Sequence, residues 1–387
     1  MTERKTTQNK TLNYAKDIEF MEMGYFTTQF GEQIPIIPGY AASIGREQKL
    51  SQELIDRFTY TPGKSLHIDV TNFGKDVMTY ALVMEMLESV GLLPETGYRR
   101  ALDIGGQEGI HPALFRAHYA EHVTSVDLMD GSDPDLTDKM RRIIWNQRKQ
   151  QALEYLYHDN YISGPVLRRL FPGRVSRRLQ SLCDVVPSKR HFYNFRFKRD
   201  LAVDEFVVGD FVEKIDGQFD IILSFLTMCL MPYKKAIPKI SELLPTRGVF
   251  AFISRYTYGP GFLTPLSGDF PYFDKRLTLA DIKKYYQEYK PHELPFVDRL
   301  YAIHDPDRPT IHQYAAEAYR HGLHLVAYRP LMVPFLSESV DSKWREHGAL
   351  QNNIDAEQIL RDIRHFRPEI TLQDLFTSYF VMVFVKR

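Results

Sequence analysis

Apolar residues fall along this chain in short blocks that alternate between helical spacing and continuous runs, and each change of spacing marks an element. Over residues 76–93 (DVMTYALVMEMLESVGLL) they recur at Val77, Ala81, Met84 and Val90, with others between, which predicts a well-buried helix stopped by Gly91. The polar link PETGYRR then leads into a strand at 101–104. After a glycine-rich turn, Pro112 suits the first turn of a helix that runs to Tyr119 with Leu114, Phe115 and Ala117 on it. Residues 123–128 (VTSVDL) form the next expected strand, and further runs at 206–208, 219–225 and 249–253 are short and bounded by Gly, Asp or Pro, as buried parallel strands should be. A helical stretch at 236–244 separates the last two.

Strand and helix patterns alternate, which argues for an α/β fold with a doubly wound, mostly parallel sheet covered on both faces. Two more strands are expected at 323–333 and 379–385, with helical patterning at 356–366 between them. The last, SYFVMVFVKR, is so β-prone that it belongs inside the sheet. The first forty residues read as a loose arm that meets the body at IPIIPGY, and no repeat or low-complexity segment interrupts the chain.

The chemistry lies in ALDIGGQEG, residues 101–109. An acid at a strand end, then glycines, then a helix start builds a nucleotide-type turn, because small residues let ligand atoms approach the backbone and the helix N-terminus. Asp103, Gly105 and Gly109 give DxGxxxG, which lacks the GxGxxG needed for close approach to a pyrophosphate and so disfavours a nicotinamide cofactor.

Leu102, Asp103, Ile104, Gly105 and Gly109 instead resemble the first motif of class I S-adenosylmethionine (SAM)-dependent methyltransferases, hDhGxGxG with h apolar; Gly106 lies within it, and Gln107 stands where the middle glycine usually does. That departure puts a side chain where the methionine part of SAM would pass. The resemblance implies a seven-stranded sheet ending in an antiparallel pair, SAM as cofactor, and an acid after the second strand that accepts both ribose hydroxyls. Asp127 inherits that role and Leu128 follows it; a carboxylate has the lone pairs for the task. After the third strand, GDF gives Asp210 for the adenine amino group and Phe211 for the ring, and FDIILS supplies the fourth strand with Ser224 at its end. Asp127 and Asp210 also read, singly, as turn residues or helix caps.

Methyl transfer is an in-line displacement that mainly requires the acceptor held in near-attack geometry, with a base only if the nucleophile arrives protonated. The ends of the fourth and fifth strands offer Ser224, Thr227, Met228, Arg255, Tyr256 and Tyr258. No Asn/Asp-Pro-Pro-Tyr-like motif follows the fourth strand, which disfavours methylation of base amino groups. Oxygen is the preferred target, with Arg255 holding an anionic group, Tyr256 shaping the pocket and His111 as a base candidate; strand-end packing and a locally bonded helix-start histidine are the competing readings. His304 and His312 are more distant candidates of the same kind. The segments 25–40 and 256–274, rich in Gly, Pro and aromatics, are candidate lids.

Charge changes the picture only locally. The 387 residues carry no net charge, yet from 139 to 199 fifteen Lys/Arg face three acids, and RVSRR and KRHFYNFRFKR interleave cations with aromatics. Asp133-Pro134 can start a helix here. The segment, with Arg177 and Arg178 at its centre, suits a phosphate- or carboxylate-bearing small molecule or glycan, or a peripheral anionic lipid face, and less well nucleic acid, since no RNA-binding signature accompanies it. A solvated face is the plain alternative. The division expected is an arm and helical cap at 1–95 and a SAM-binding domain at 96–387, carrying a basic, largely helical insert at about 131–203 and a second insert at about 334–376.

Composition sets the remaining bounds. A 44% hydrophobic, 25% charged chain should build a sizeable core, and 13% aromatics suit either that core or a ligand cleft. Cys183 and Cys229 lie far apart with no Cys/His cluster, so neither a disulfide framework nor a metal site is expected. The N-terminus lacks a signal-like apolar stretch, and the longest apolar run, IILSFLTMCLMP, is too short to span a bilayer; a cytoplasmic enzyme is the expectation. Rival readings are an RNA methyltransferase using the basic insert and an inactive methyltransferase-like interaction module in which Gln107 blocks the cofactor.

Overall fold

The structure, a computed structural model, describes residues 24–37, 50–53, 73–107, 109–130, 135, 138–140, 198–259, 269–303, 309–332 and 356–387. Most of the basic insert, Arg177 and Arg178 included, lies outside the described residues, as do Cys183 and His304.

Where the sequence suggests a loose arm, the chain forms a hairpin of β1 (Tyr25–Thr27) and β2 (Gln33–Pro35). Alternation explains the difference: the paired Phe26 and Ile34 point to one side and are buried, while their strand neighbours are exposed. Helix α1 (Phe73–Ser89) ends at Gly91, whose left-handed φ of 71° lets the Gly91 and Leu92 N–H groups return to the carbonyls of Glu88 and Leu87. There follow β3 (Tyr98–Ile104), α2 (Ile110–Tyr119), β4 (Ala120–Asp127), β5 (Glu205–Val208), the single turn α3 (Phe211–Lys214), β6 (Ile221–Phe225), α4 (Tyr233–Leu243) and β7 (Val249–Arg255). Among the described residues, four helices come next, α5 (Phe273–Arg276), α6 (Leu279–Tyr289), α7 (Leu294–Ile303) and α8 (Ile311–Arg320). The chain closes with β8 (Leu323–Met332), α9 (Ala356–Arg364), α10 (Leu372–Phe376) and β9 (Thr377–Lys386).

The seven-stranded sheet has the order β5-β4-β3-β6-β7-β9-β8, parallel from β5 through β7, with β9 antiparallel to both its neighbours. SYFVMVFVKR is thus an interior strand, as its composition demands, and the expected doubly wound sheet with an antiparallel end is present. From β3 the chain winds outward one way through β4 and β5 and then the other way through β6 and β7, so the switch point lies between β3 and β6.

The continuous apolar runs follow from burial on both faces. Ile221, Leu223, Ala251, Ile253 and Val383 face a core shared with α1 and α2; Ile222, Phe250, Phe252, Phe380 and Phe384 face the opposite core with α4, α8 and α9. A third core joins the hairpin to α5, α6 and α7 through Phe26, Phe270, Phe273, Tyr285 and Leu300. Much of the aromatic content is consumed here: Phe252 packs on Phe250, Phe380 and Phe384 with ring centroids 5.1–6.3 Å apart. Arg276 of α5 is buried and held by Asp362 of α9 at 2.6 Å. Among the described residues, no helix is long and apolar enough to cross a membrane.

Candidate functional site

The switch point opens at the C-terminal ends of the parallel strands. After β3 the backbone turns through Gly105, with φ of 78°, and a β-carbon there would lie 2.0 Å from the Thr227 hydroxyl. One built on Gly106 would lie 2.0 Å from the Ser125 hydroxyl and 2.5 Å from an oxygen of Asp103. Both positions therefore require glycine. Gln107 adopts a left-handed φ of 39°, its side chain exposed, and donates its backbone N–H to Asp127 Oδ2 at 3.0 Å. Gly109, also left-handed, is the N-cap of α2.

Asp127 closes β4. Its second oxygen accepts the Met129 N–H at 2.9 Å. Burial pushes its carboxyl up, and the backbone N–H groups oppose that shift. Behind the turn, Asp103 is 1% exposed; Oδ2 accepts the Ser125 hydroxyl at 3.4 Å, and Oδ1 has no hydrogen-bond partner. Burial first, and the charge of Asp127 second, push Asp103 up to about 8, with the Ser125 hydroxyl pulling the other way. After β5, Asp210 caps α3 by accepting the Val212 N–H at 2.9 Å, and Phe211 is buried beside it.

These strand ends converge on one cavity of about 360 Å³, within the range of small-ligand sites. Gly105, Gly106, Gln107, His111, Asp127, Leu128, Asp210 and Phe211 all line it, although they come from three separate strand ends. Asp103, Gly109, Ser224, Arg255 and Tyr256 do not. Ser224 is buried and donates to the Ile104 carbonyl at 3.1 Å, which ties β6 to β3. Arg255 lies over the Tyr379 ring at 6.0 Å, and Tyr256 is buried against Tyr258 and Phe380. From the candidate lid 256–274, Tyr258, Phe270 and Tyr272 are fully buried packing residues, and residues 260–268 lie outside the described residues.

The cavity has contributors that sequence patterns did not single out. Asp76 reaches it from the first turn of α1, Phe225 from the end of β6, and Leu226, Leu230, Met231 and Pro232 from the segment that follows. Leu226 has a φ of 61°, and Thr227 packs against Gly105 and donates to its carbonyl at 3.3 Å. The one available clue was Asp76, the acid in the first turn of a helix rich in apolar residues.

His111 lines the same cavity. The ring stacks on Phe225 with centroids 4.2 Å apart and planes 6° from parallel, and Nε2 lies 2.9 Å from the Thr79 hydroxyl of α1.

No family model and no curated protein matches this chain. Among solved structures it is similar to the N-methyltransferase NodS from Bradyrhizobium japonicum WM9 in complex with S-adenosyl-L-homocysteine (9% identical, covering 79% of this chain and 85% of that one, TM-score 0.34). It is similar also to geranyl diphosphate C-methyltransferase from Streptomyces coelicolor A3(2) (9% identical, 88% and 89% covered, TM-score 0.35) and to the [4+2]-cyclase SpnF (11% identical, 79% and 81% covered, TM-score 0.36).

Proposed function

We propose that the chain is a SAM-dependent methyltransferase acting on the oxygen of a small-molecule or glycan acceptor. The observation that carries this reading is the convergence, in one cavity at the switch point, of the glycine turn, Asp127 and the Asp210–Phe211 pair. The residues fit SAM in kind. Asp127 ends β4 with two acceptor oxygens for vicinal hydroxyls. Phe211, Val212, Met231 and Pro232 offer apolar walls to a planar ring, and Gly105 and Gly106 admit ligand atoms close to the backbone. Four carboxyl groups, from Asp76, Asp127, Asp210 and Glu213, face one Lys235 across the cavity, a formal balance of −3 when all are ionised that suits a cationic ligand.

Bound SAM would supply a methyl group activated by its sulfonium. The chain's own part is to hold, orient and deprotonate. His111 is the lining imidazole, and a base is useful only to an acceptor that arrives carrying a proton, which favours a hydroxyl. Arg255 and Tyr256 stand outside the cavity and receive no catalytic part in this proposal. Calorimetric titration with SAM and with S-adenosylhomocysteine (SAH) tests the reading: micromolar-range binding of both is expected, and binding of neither overturns it. Labelled SAM incubated with small hydroxyl acceptors then identifies the product by mass spectrometry, and label found only on nitrogen or RNA overturns the choice of oxygen.

A further inference from the structure

We propose that the acceptor is an apolar hydroxyl compound, a phenol or an apolar alcohol in preference to a glycan, and that Leu226 is the specificity-determining residue on which its apolar body packs. This rests on the methyl-transfer reading above and deepens it.

The two faces of the sheet divide the cavity. Phe211, Val212 and Met231, apolar walls for a planar ring, pack on the core that α4 shares with the sheet. Phe225 and Leu226 pack on the opposite core, with α1 and α2, and Asp76 of α1 and His111 of α2 line the cavity with them. In the sheet, β4 and β5 lie on one side of β3 and β6 on the other. A cofactor whose nucleoside sits at Asp127 and Asp210 turns its other end, and with it the acceptor, past the glycine turn toward β6. The hydroxyls there are already engaged. Ser224 donates to the Ile104 carbonyl, and the one hydrogen of the Thr227 hydroxyl is directed at the carbonyls of Gly105, at 3.3 Å, and Phe225, at 3.2 Å. Among the described residues lining this side, Asp76 and His111 are the polar side chains that remain. They are too few for a glycan, each of whose hydroxyls needs a partner when it leaves water. An apolar body with a single hydroxyl makes no such demand and is stabilised by covering Phe225 and Leu226.

Leu226 stands in this wall against the preference of its own backbone. Its φ of 61° lies in the left-handed region, where a β-carbon crowds the following carbonyl and glycine or asparagine fits with less strain. The fold holds it there from both sides: its N–H donates to the Ile253 carbonyl at 2.8 Å, and its carbonyl accepts the Cys229 thiol at 3.4 Å. The chain thus keeps a bulky apolar side chain at a cavity wall whose backbone suits a smaller or polar one. Strain of this kind points to a part for the side chain in the site.

The test is calorimetric titration of the SAH-saturated protein with thymol and hexanol as apolar hydroxyl probes and with maltotriose as the glycan probe. Micromolar-range binding of at least one apolar probe is expected, with maltotriose failing to bind at millimolar concentration. Leu226→Asn, which the left-handed backbone accepts, should weaken the apolar probe about tenfold or more while SAH affinity stays unchanged, and Leu226→Gly should do the same should the first variant fail to fold. Maltotriose that binds as tightly as the apolar probes, or failure of both apolar probes, overturns the acceptor class. Apolar binding that the variants retain, or a loss of SAH affinity alongside it, overturns the role of Leu226. SAH binding is measured first on the same samples, so that its absence in the wild-type protein overturns the methyl-transfer reading itself, whereas SAH binding without the apolar probes overturns only this inference.

Discussion

Replacing Asp103 by asparagine tests whether the glycine turn is built on a carboxyl that burial keeps protonated. In the folded chain the group titrates at about 8 against an ordinary value of 3.8, because it is buried and faces Asp127. The folded state therefore holds this proton more tightly than the unfolded chain does. Its contribution to stability is complete below pH 3.8 and is lost as pH rises towards 8, beyond which no further loss follows. Each pH unit in that window costs about 1.4 kcal/mol, so the fall from pH 5 to pH 8 amounts to about 4 kcal/mol from this one residue. Asp127, also raised by burial, adds a loss of the same sign. The Asp103→Asn variant keeps the shape of the side chain and has no proton to lose there. Urea unfolding followed by circular dichroism at pH 5 and pH 8 should show wild-type stability falling steeply and the variant falling by several kcal/mol less. Equal falls in the two proteins would refute the reasoning.

Other expectations follow from the same geometry. Asp127→Ala removes an acceptor proposed to take two hydroxyls and should weaken SAH binding by about 2–3 kcal/mol, read by calorimetry; unchanged affinity removes Asp127 from the site. Gly106→Ala puts a β-carbon 2.0 Å from the Ser125 hydroxyl and should lower stability by about 1–3 kcal/mol in denaturant titration, while tolerance would mean that the turn relaxes freely. Gln107→Gly relieves a left-handed residue and should raise stability by up to about 1 kcal/mol, seen as a higher thermal midpoint; a lower midpoint would show that the side chain stabilises the turn. Asp362→Ala leaves Arg276 buried without its carboxylate and should cost about 3–5 kcal/mol in the same titration.

The parallel core was legible because local sequence sets it. Runs such as IILSF are apolar at successive positions since both faces of the sheet are covered, and Gly91 ends α1 by a left-handed turn that needs only short-range contacts. The glycine turn, Asp127 and Asp210 were legible for a related reason: each sits at a strand end whose register the run before it fixes. The hairpin at the N-terminus was not, because its strands are only three residues long and become ordered by burying Phe26 and Ile34 in a core whose other half, Phe270 to Leu300, is some 250 residues away in sequence.

The sequence by itself determined where the seven sheet strands fall along the chain and the residues that turn at the ends of β3, β4 and β5. Only the tertiary structure decided which of the candidates share a cavity. Arg255 and Tyr256 follow the fifth parallel strand as plausibly as His111 follows the first, yet packing against Tyr379 and Phe380 takes them out of the cavity. Asp76 precedes the motif by about 25 residues and lines the cavity only because α1 packs beside α2 on one face of the sheet. Spacing along the chain specifies which way a residue faces within its own element; which elements face each other is decided by the burial of both sheet faces at once.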